Sequence, residues 1–295
     1  MAYEVLLFYK YVAIDDPEKV CEAQKTLCKT LHLKGRIIVA HNGINGTVEG
    51  VKKDTTAYVK QMQQDPRFAN IVFKKSEGTG EALRKLQVRV RRDLVSDQTD
   101  EWGVDPHKIT GKYLTAEELH QWIKTGKKFY IMDMRNNYEH KSGYFKDSIL
   151  PDIDNFRDLP KVLPELKKFD DRPIVTVCTG GIRCERASGL LIKYGFKDVY
   201  QLLDGIVTYM EKYPNEDFLG KLYVFDNRLV MGFETDSPKH QIIGRCIVCN
   251  ASSEHYVNCR NNICHRHYIV CDNCVESDGT ILCPQGCRDT KGGER

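Results

Sequence analysis

A run of apolar residues from Pro173 to Val177 ends abruptly in Cys178-Thr179-Gly180-Gly181-Ile182-Arg183-Cys184, and a helical pattern follows from Glu185 to Tyr194. A short buried strand that feeds a helix through a glycine-rich turn belongs to layered strand–helix architecture, so this segment restricts the fold more than any other. The turn also restricts the chemistry. Several backbone N–H groups there can point at one sulfur, and a helix N-terminus favours negative charge, so the thiol ionises more readily than a free cysteine. Arg183, five residues after the cysteine, adds a formal positive charge. Because the thiolate is the nucleophilic form, Cys178 and Arg183 are candidate catalytic residues. Thr179, Gly180, Gly181, Ile182 and Cys184 complete the candidate active-site loop. The competing explanation is a buried structural cysteine in a glycine-rich turn.

The flanking sequence has the matching alternation. Phe129 to Asp133 reads as a strand, Asp152 to Phe169 as a loop and then a helix, and Val199 to Leu202 as a short strand before Asp204-Gly205-Ile206. This order predicts a parallel sheet with helices on both faces. The Cys-x4-Arg loop, together with Asp133-Met134-Arg135-Asn136-Asn137-Tyr138-Glu139, resembles the rhodanese (sulfurtransferase) family, whose loop accommodates a persulfide sulfur. Related phosphatases carry Cys-x5-Arg around a phosphate, so the shorter loop disfavours phosphatase chemistry. Tyr144 stands where that family usually has histidine. Asp133, Arg135 and Glu139 are read as a structural salt-bridge set, with a direct catalytic role as the alternative.

The N-terminal third forms a separate unit. Tyr3 to Val12 reads as a strand, Asp16 to Leu31 as a helix and Arg36 to Ala40 as a strand. Asn42 to Val48 makes a tight turn into a further strand, Lys53 to Asp65 is helical, and Ile71 to Lys75 closes with a strand. This βαββαβ order predicts a ferredoxin-like α+β domain of acylphosphatase type. The two Asn-Gly dipeptides fit hairpin turns that need positive φ; backbone amides gripping a phosphate are the alternative. A basic stretch follows, Arg84, Lys85, Arg89, Arg91 and Arg92, with no acid among residues 84 to 92. A period of two over Leu86 to Arg91 puts Arg89 and Arg91 on one strand face, a stripe suited to phosphates. With Arg36 these are the candidate RNA-binding residues, although a charged edge that prevents sheet association has the same pattern.

At 295 residues the chain has room for two domains and a small third. The net charge of +3 confines any nucleic-acid binding to local patches. No apolar stretch approaches the ~18 residues of a membrane span. The N-terminal Met-Ala-Tyr-Glu-Val-Leu-Leu runs straight into a strand without a basic leader, so a cytoplasmic protein without disulfides is expected. Of twelve cysteines, Cys21 and Cys28 share a helix face and read as core. Eight others form four chelate-spaced pairs: Cys246 and Cys249, Cys259 and Cys264, Cys271 and Cys274, Cys283 and Cys287. Two structural four-cysteine zinc sites explain this spacing, and metal would supply folding energy to a tail with few apolar residues. An oxidised or metal-free cluster is the alternative. His265 and His267 could substitute as ligands or contact partner or solvent. Spacing leaves sequential and cross-braced pairing both open. The expected divisions are 1–95, a linker over 96–108, 109–225 for the catalytic-loop domain and 226–295 for the Cys-rich tail.

Taken together, Gly35 to Ala40, Gly43-Ile44-Asn45-Gly46-Thr47, Asp65-Pro66-Arg67-Phe68, the Asp133 and Cys178 motifs and the Cys-rich tail closely resemble the rhodanese-domain tRNA uridine hydroxylases. Those oxygen-dependent enzymes make 5-hydroxyuridine at the wobble position, residue 34 of tRNA. The resemblance covers nearly the whole chain, with one departure at Ala40-His41-Asn42, where an acidic residue is expected. It implies molecular oxygen as co-substrate and the tRNA anticodon loop as partner. No flavin or nicotinamide site and no iron triad is visible in the sequence. On this view the Cys178 thiolate or persulfide adds to C6 of a flipped-out uridine, while Arg183 and the amides of Thr179 to Ile182 stabilise the developing charge. Cys184 either resolves an oxidised Cys178 or faces the core. A thiosulfate-type sulfurtransferase and a non-catalytic binding module are the rival functions. The oligomeric state is not readable from the sequence.

Overall fold

The computed structural model describes residues 2–95, 102–261, 264, 266–276, 279, 281 and 287. Cys283, His265 and the first part of the expected linker lie outside the described residues.

The N-terminal unit is built from β1 (Tyr3–Tyr11), α1 (Pro17–Thr30), β2 (Lys34–Ala40), β3 (Gly43–Val51), α2 (Lys52–Met62) and β4 (Phe73–Gly78). β5 (Leu86–Val90) pairs parallel to β2 and extends the sheet to the order β4-β1-β3-β2-β5. Asp16 caps α1 by accepting from the Lys19 N–H at 2.8 Å, and Pro17 fits the first helical turn because its missing N–H has no helical partner to lose. Leu6 and Phe8 of β1 join Ile37, Val39 and Tyr58 in the core under the helices. The hairpin turn is shorter than the sequence suggests. Ala40 pairs with Gly43, so His41 and Asn42 alone make the loop, and Asn45-Gly46 lies inside β3. Gly46 serves packing there, since a Cβ would lie 2.5 Å from the Phe8 ring.

The second unit has β6 (Lys112–Leu114), α3 (Ala116–Lys124), β7 (Tyr130–Asp133), α4 (Asn137–His140), β8 (Gly143–Phe145), α5 (Leu159–Leu166), β9 (Ile174–Val177), α6 (Ile182–Lys193), β10 (Val199–Leu202) and α7 (Gly205–Lys212). Its parallel sheet has the order β6-β10-β9-β7. Strand alternation distributes the side chains to two cores. Ile131 and Val175 pack with Leu119, Ile206 and Met210 of α3 and α7. Met132 and Ile174 pack with Leu159, Leu163 and Leu191 of α5 and α6 on the opposite face. Each large side chain buried this way contributes about 1.5–3 kcal/mol. Trp102 and Val104, in the stretch read as linker, join the second of these cores, with Trp102 against Phe156 at 5.0 Å.

The remaining strands are short. β11 (Phe218–Gly220) pairs with β8, β12 (Leu222–Tyr223) with β13 (Val230–Met231), and β14 (Tyr256–Asn258) with β15 (His267–Ile269). No described helix is long and apolar enough to cross a membrane.

Candidate active site

Cys178 follows directly on β9, and α6 begins at Ile182, three residues earlier than the sequence pattern suggests. Arg183 and Cys184 therefore belong to the first helical turn, where N–H groups have no partner within the helix. Gly181 precedes the helix with φ of 99°, a conformation that favours glycine, and its N–H donates to the Cys178 Sγ at 3.2 Å. Burial pushes the Cys178 thiol up. The Cys184 S–H, the Arg183 charge and the amides of Cys184 and Arg183 outweigh it, and they bring the thiol from an ordinary value of 9.0 down to about 6. Cys184 is fully buried in the core, and its thiol touches Cys178. Its own thiol is held well above the ordinary range, first by burial and then by that contact.

The acidic motif divides into two pairs. Asp133 and Arg135 form a fully buried ion pair with each other at 2.6 Å. Glu139 does not belong to it: its two oxygens accept from the Arg183 guanidinium at 2.6 and 2.8 Å, and Thr179 Oγ1 accepts from the same group at 3.2 Å. Arg183 is therefore fixed in place, and breaking such a buried pair by removing one partner costs about 3–5 kcal/mol. The α7 N-terminus braces the loop from behind. The Ile206 and Val207 N–H groups donate to the carbonyls of Cys178 and Thr179 at 2.9 and 3.1 Å. A Cβ on Gly205 would lie 2.6 Å from the Gly181 nitrogen, so only glycine permits this approach.

The N-terminal sheet covers the loop. Its face away from α1 and α2 carries Leu7 and Tyr9, and a Cβ on Gly180 would lie 2.8 Å from Leu7 Cδ2, one on Gly181 2.8 Å from the Tyr9 hydroxyl. Tyr9 donates to Glu185 of α6 at 3.1 Å. Lys74 of β4, with its ammonium 4.7 Å from the Tyr9 ring centroid, pairs with Asp204 at 2.9 Å. Burial lowers the Lys74 ammonium and Asp204 opposes it. Arg186 pairs with Asp93 across the same boundary. Cys178 is left with 0% exposure. Sequence reasoning missed these covering residues, yet a signal was present. Val5-Leu6-Leu7-Phe8-Tyr9 is apolar on both strand faces, as expected of a strand covered on both sides.

The cysteine tail is cross-braced. Cys246, Cys249, Cys271 and Cys274 place their sulfurs within 4.8 Å of one another, and Cys259, Cys264 and Cys287 form a second such group. The first pair thus combines with the third, and the second with Cys287; Cys283 lies outside the described residues. None of the described cysteines forms a disulfide. A tetrahedral ion with metal–sulfur bonds near 2.3 Å needs sulfurs roughly 3.8 Å apart, so the thiol-only donor set and its spacing fit a metal ion. His267 belongs to neither group; it bonds the Tyr223 hydroxyl through Nδ1 at 2.8 Å.

The basic residues separate into two sets. Arg36, Arg84 and Lys85 line a cavity of about 880 Å³ between the N-terminal sheet and the loop after β12. Arg89, Arg91 and Arg92 are exposed on and just after β5, an edge strand of the sheet, outside that cavity.

Comparison with known proteins follows the same three parts. Residues 3–94 match a UPF0176 acylphosphatase-like domain, 115–212 a rhodanese-like domain and 219–288 a rhodanese C-terminal model. A rhodanese-like domain from Anabaena sp. matches 38% of this chain and 80% of its own length at 18% identity and a TM-score of 0.32. A Bacillus licheniformis protein named tRNA uridine(34) hydroxylase is 43% identical over 97% of this chain and 88% of its own length. Proteins of the same name from Cytophaga hutchinsonii and Staphylococcus aureus are 41% and 43% identical, over 93% and 92% of this chain and 86% and 85% of theirs. Identity at this level along nearly the whole chain shows that it belongs to the tRNA uridine(34) hydroxylase family.

Proposed function

We propose that this protein hydroxylates C5 of the wobble uridine in the anticodon loop of tRNA, in the cytoplasm, with Cys178 as nucleophile and molecular oxygen as oxidant. The observation that carries the role of Cys178 is a wholly buried thiol that Cys184 and Arg183 bring to about 6, with the Gly181 N–H donating to its sulfur. The thiolate adds to C6 of the uracil, and the C5–C6 electron pair moves toward the C4 carbonyl. C5 then takes up dioxygen as a hydroperoxide. A thiol reductant, itself becoming disulfide, cleaves the O–O bond to leave C5–OH and water. Loss of the C5 proton expels Cys178 and restores the C5–C6 double bond. Arg183 and the loop amides stabilise the enolate charge. A base in an unpaired loop reaches such a site at small cost in lost stacking.

The sealed thiol adds a condition: the sheet carrying Leu7 and Tyr9 must lift from the loop to admit the base. Arg36, Arg84 and Lys85 supply phosphate contacts beside that opening, with Arg89, Arg91 and Arg92 extending the basic surface. The two cysteine groups hold zinc, which supplies folding energy to the tail.

The test is mass spectrometry of tRNA nucleosides from cells lacking the activity, complemented with the wild-type protein or Cys178→Ser. Restoration of 5-hydroxyuridine by the wild type alone is the expected result. Full restoration by Cys178→Ser overturns the role of the cysteine. Absence of restoration by either, with turnover of thiosulfate, makes the protein a sulfurtransferase.

A further inference from the structure

Phe225 is a large apolar side chain left 52% exposed on a loop that is otherwise held tightly. The loop joins β12 to β13. Asp226 accepts from Arg228 at 2.6 and 2.9 Å, and Arg228 reaches on to Ser76 Oγ and the Glu77 carbonyl of β4. The Asn227 N–H and side-chain amide donate to the carbonyls of Ala82 and Glu81 at 2.8 and 2.7 Å. An exposed phenylalanine on a loop pinned to the N-terminal unit contributes little to the core, and its orientation is set while those contacts hold.

Its surroundings suit one kind of ligand. The Arg183 guanidinium carbon lies 5.7 Å from the Phe225 ring centroid, so the ring adjoins the catalytic loop. Tyr223 meets it edge-on at 5.4 Å and anchors it to the His267 side of the tail. Phe225 and Tyr223 line both the 880 Å³ cavity and a second of about 770 Å³. The first brings Arg36, Arg84 and Lys85, the second Lys141 and Arg266. The acids in these cavities include Glu81 and Asp154 as well as Asp226, which is neutralised by Arg228. Cations flanking an exposed aromatic ring form the combination that holds single-stranded nucleic acid, phosphates on the basic groups and a base on the ring.

We propose that Phe225 is the stacking platform for an unpaired base of the RNA, the nucleotide adjoining the uridine that enters the Cys178 loop. The assignment rests on the anticodon-loop reading above. Arg183 stands in contact with this ring and belongs to the Cys178 cradle, so the two bases occupy neighbouring places on either side of it. Stacking on Phe225 holds the loop splayed while its neighbour reacts.

The test uses the full-length protein and an anticodon stem-loop RNA carrying the fluorescent base 2-aminopurine beside the target uridine. Wild type and Phe225→Tyr should quench the probe on binding, whereas Phe225→Ala and Phe225→Leu should not. Both of these variants should weaken stem-loop binding and raise KM for 5-hydroxyuridine formation roughly tenfold to a hundredfold. Binding and quenching by Phe225→Ala or Phe225→Leu equal to wild type, with wild-type hydroxylation intact, overturns the stacking role alone. A wild-type protein that forms no 5-hydroxyuridine overturns it together with the functional reading beneath it.

Discussion

Replacing Arg183 and Glu139 together by glutamine measures how much of the Cys178 ionisation comes from full charge. The thiol stands at about 6 against an ordinary 9.0, about a thousandfold in ionisation constant or about 4 kcal/mol. The backbone amides and the Cys184 S–H survive any substitution at 183 or 139. The guanidinium is the cation that acts most strongly on the sulfur, the buried Lys74 ammonium being a second that also feels it, and Glu139, bound to the guanidinium through both oxygens, cancels part of its field. Removing Arg183 alone would strand a buried carboxylate, whereas the double substitution leaves two neutral amides that can bond to each other. The double variant should raise the thiol by about one pH unit, about 1.4 kcal/mol, and reduce the thiolate at pH 7 from roughly nine-tenths to roughly half. Glu139→Gln alone should move it the other way, below 6, because it uncovers the guanidinium. The assay is ultraviolet thiolate absorbance against pH, taken as the difference from Cys178→Ser in the same background. A double variant that still titrates at about 6, or a Glu139→Gln protein that titrates higher than wild type, refutes the electrostatic account.

Two more perturbations address the cover and the tail. Lys74→Met removes the ion pair that ties β4 to Asp204, and should speed iodoacetamide modification of Cys178 roughly tenfold, the effect of ~1.4 kcal/mol in the opening equilibrium. Peptide mapping that shows an unchanged rate would mean that the sheet is not the barrier. Cys249→Ser and Cys259→Ser should each reduce bound zinc from two ions per chain to about one, measured by elemental mass spectrometry. Two ions retained in either variant would show that the cysteine groups do not hold the metal.

The cysteine loop was legible in the sequence because its chemistry is local: strand, turn, cation and helix start lie within a few residues. The same holds for the four cysteine pairs, where chelate spacing is set by the chain itself. What stayed hidden depends on distant segments meeting. Nothing in the spacing shows that Glu139 passes over the nearby Arg135 and takes Arg183, 44 residues away. Cross-bracing was equally hidden, because pairs combined in sequence or alternately leave identical spacing. Phe225 carries no signal at all in sequence, since one phenylalanine in the apolar run Leu222-Tyr223-Val224-Phe225 reads as ordinary core. β5 was legible as a strand, but its parallel pairing with β2 depends on the path of residues 79–85.

A thiol that ionises near 6 has a liability in any cell that holds oxygen. Peroxides react with thiolates, and an accessible low-pKa cysteine passes readily to sulfenic acid and then to states no thiol restores. Under the Leu7 and Tyr9 side of the N-terminal sheet, Cys178 presents no surface to such reagents. Reactivity is thus stored rather than displayed. With Cys178 as the proposed nucleophile, the thiol would meet solvent and oxidant only during the interval in which the cover is raised, and an RNA strand that raised the cover by binding beside it would also fill the space it opens. The lifetime of the enzyme between turnovers is then set by how seldom the sheet lifts without its substrate.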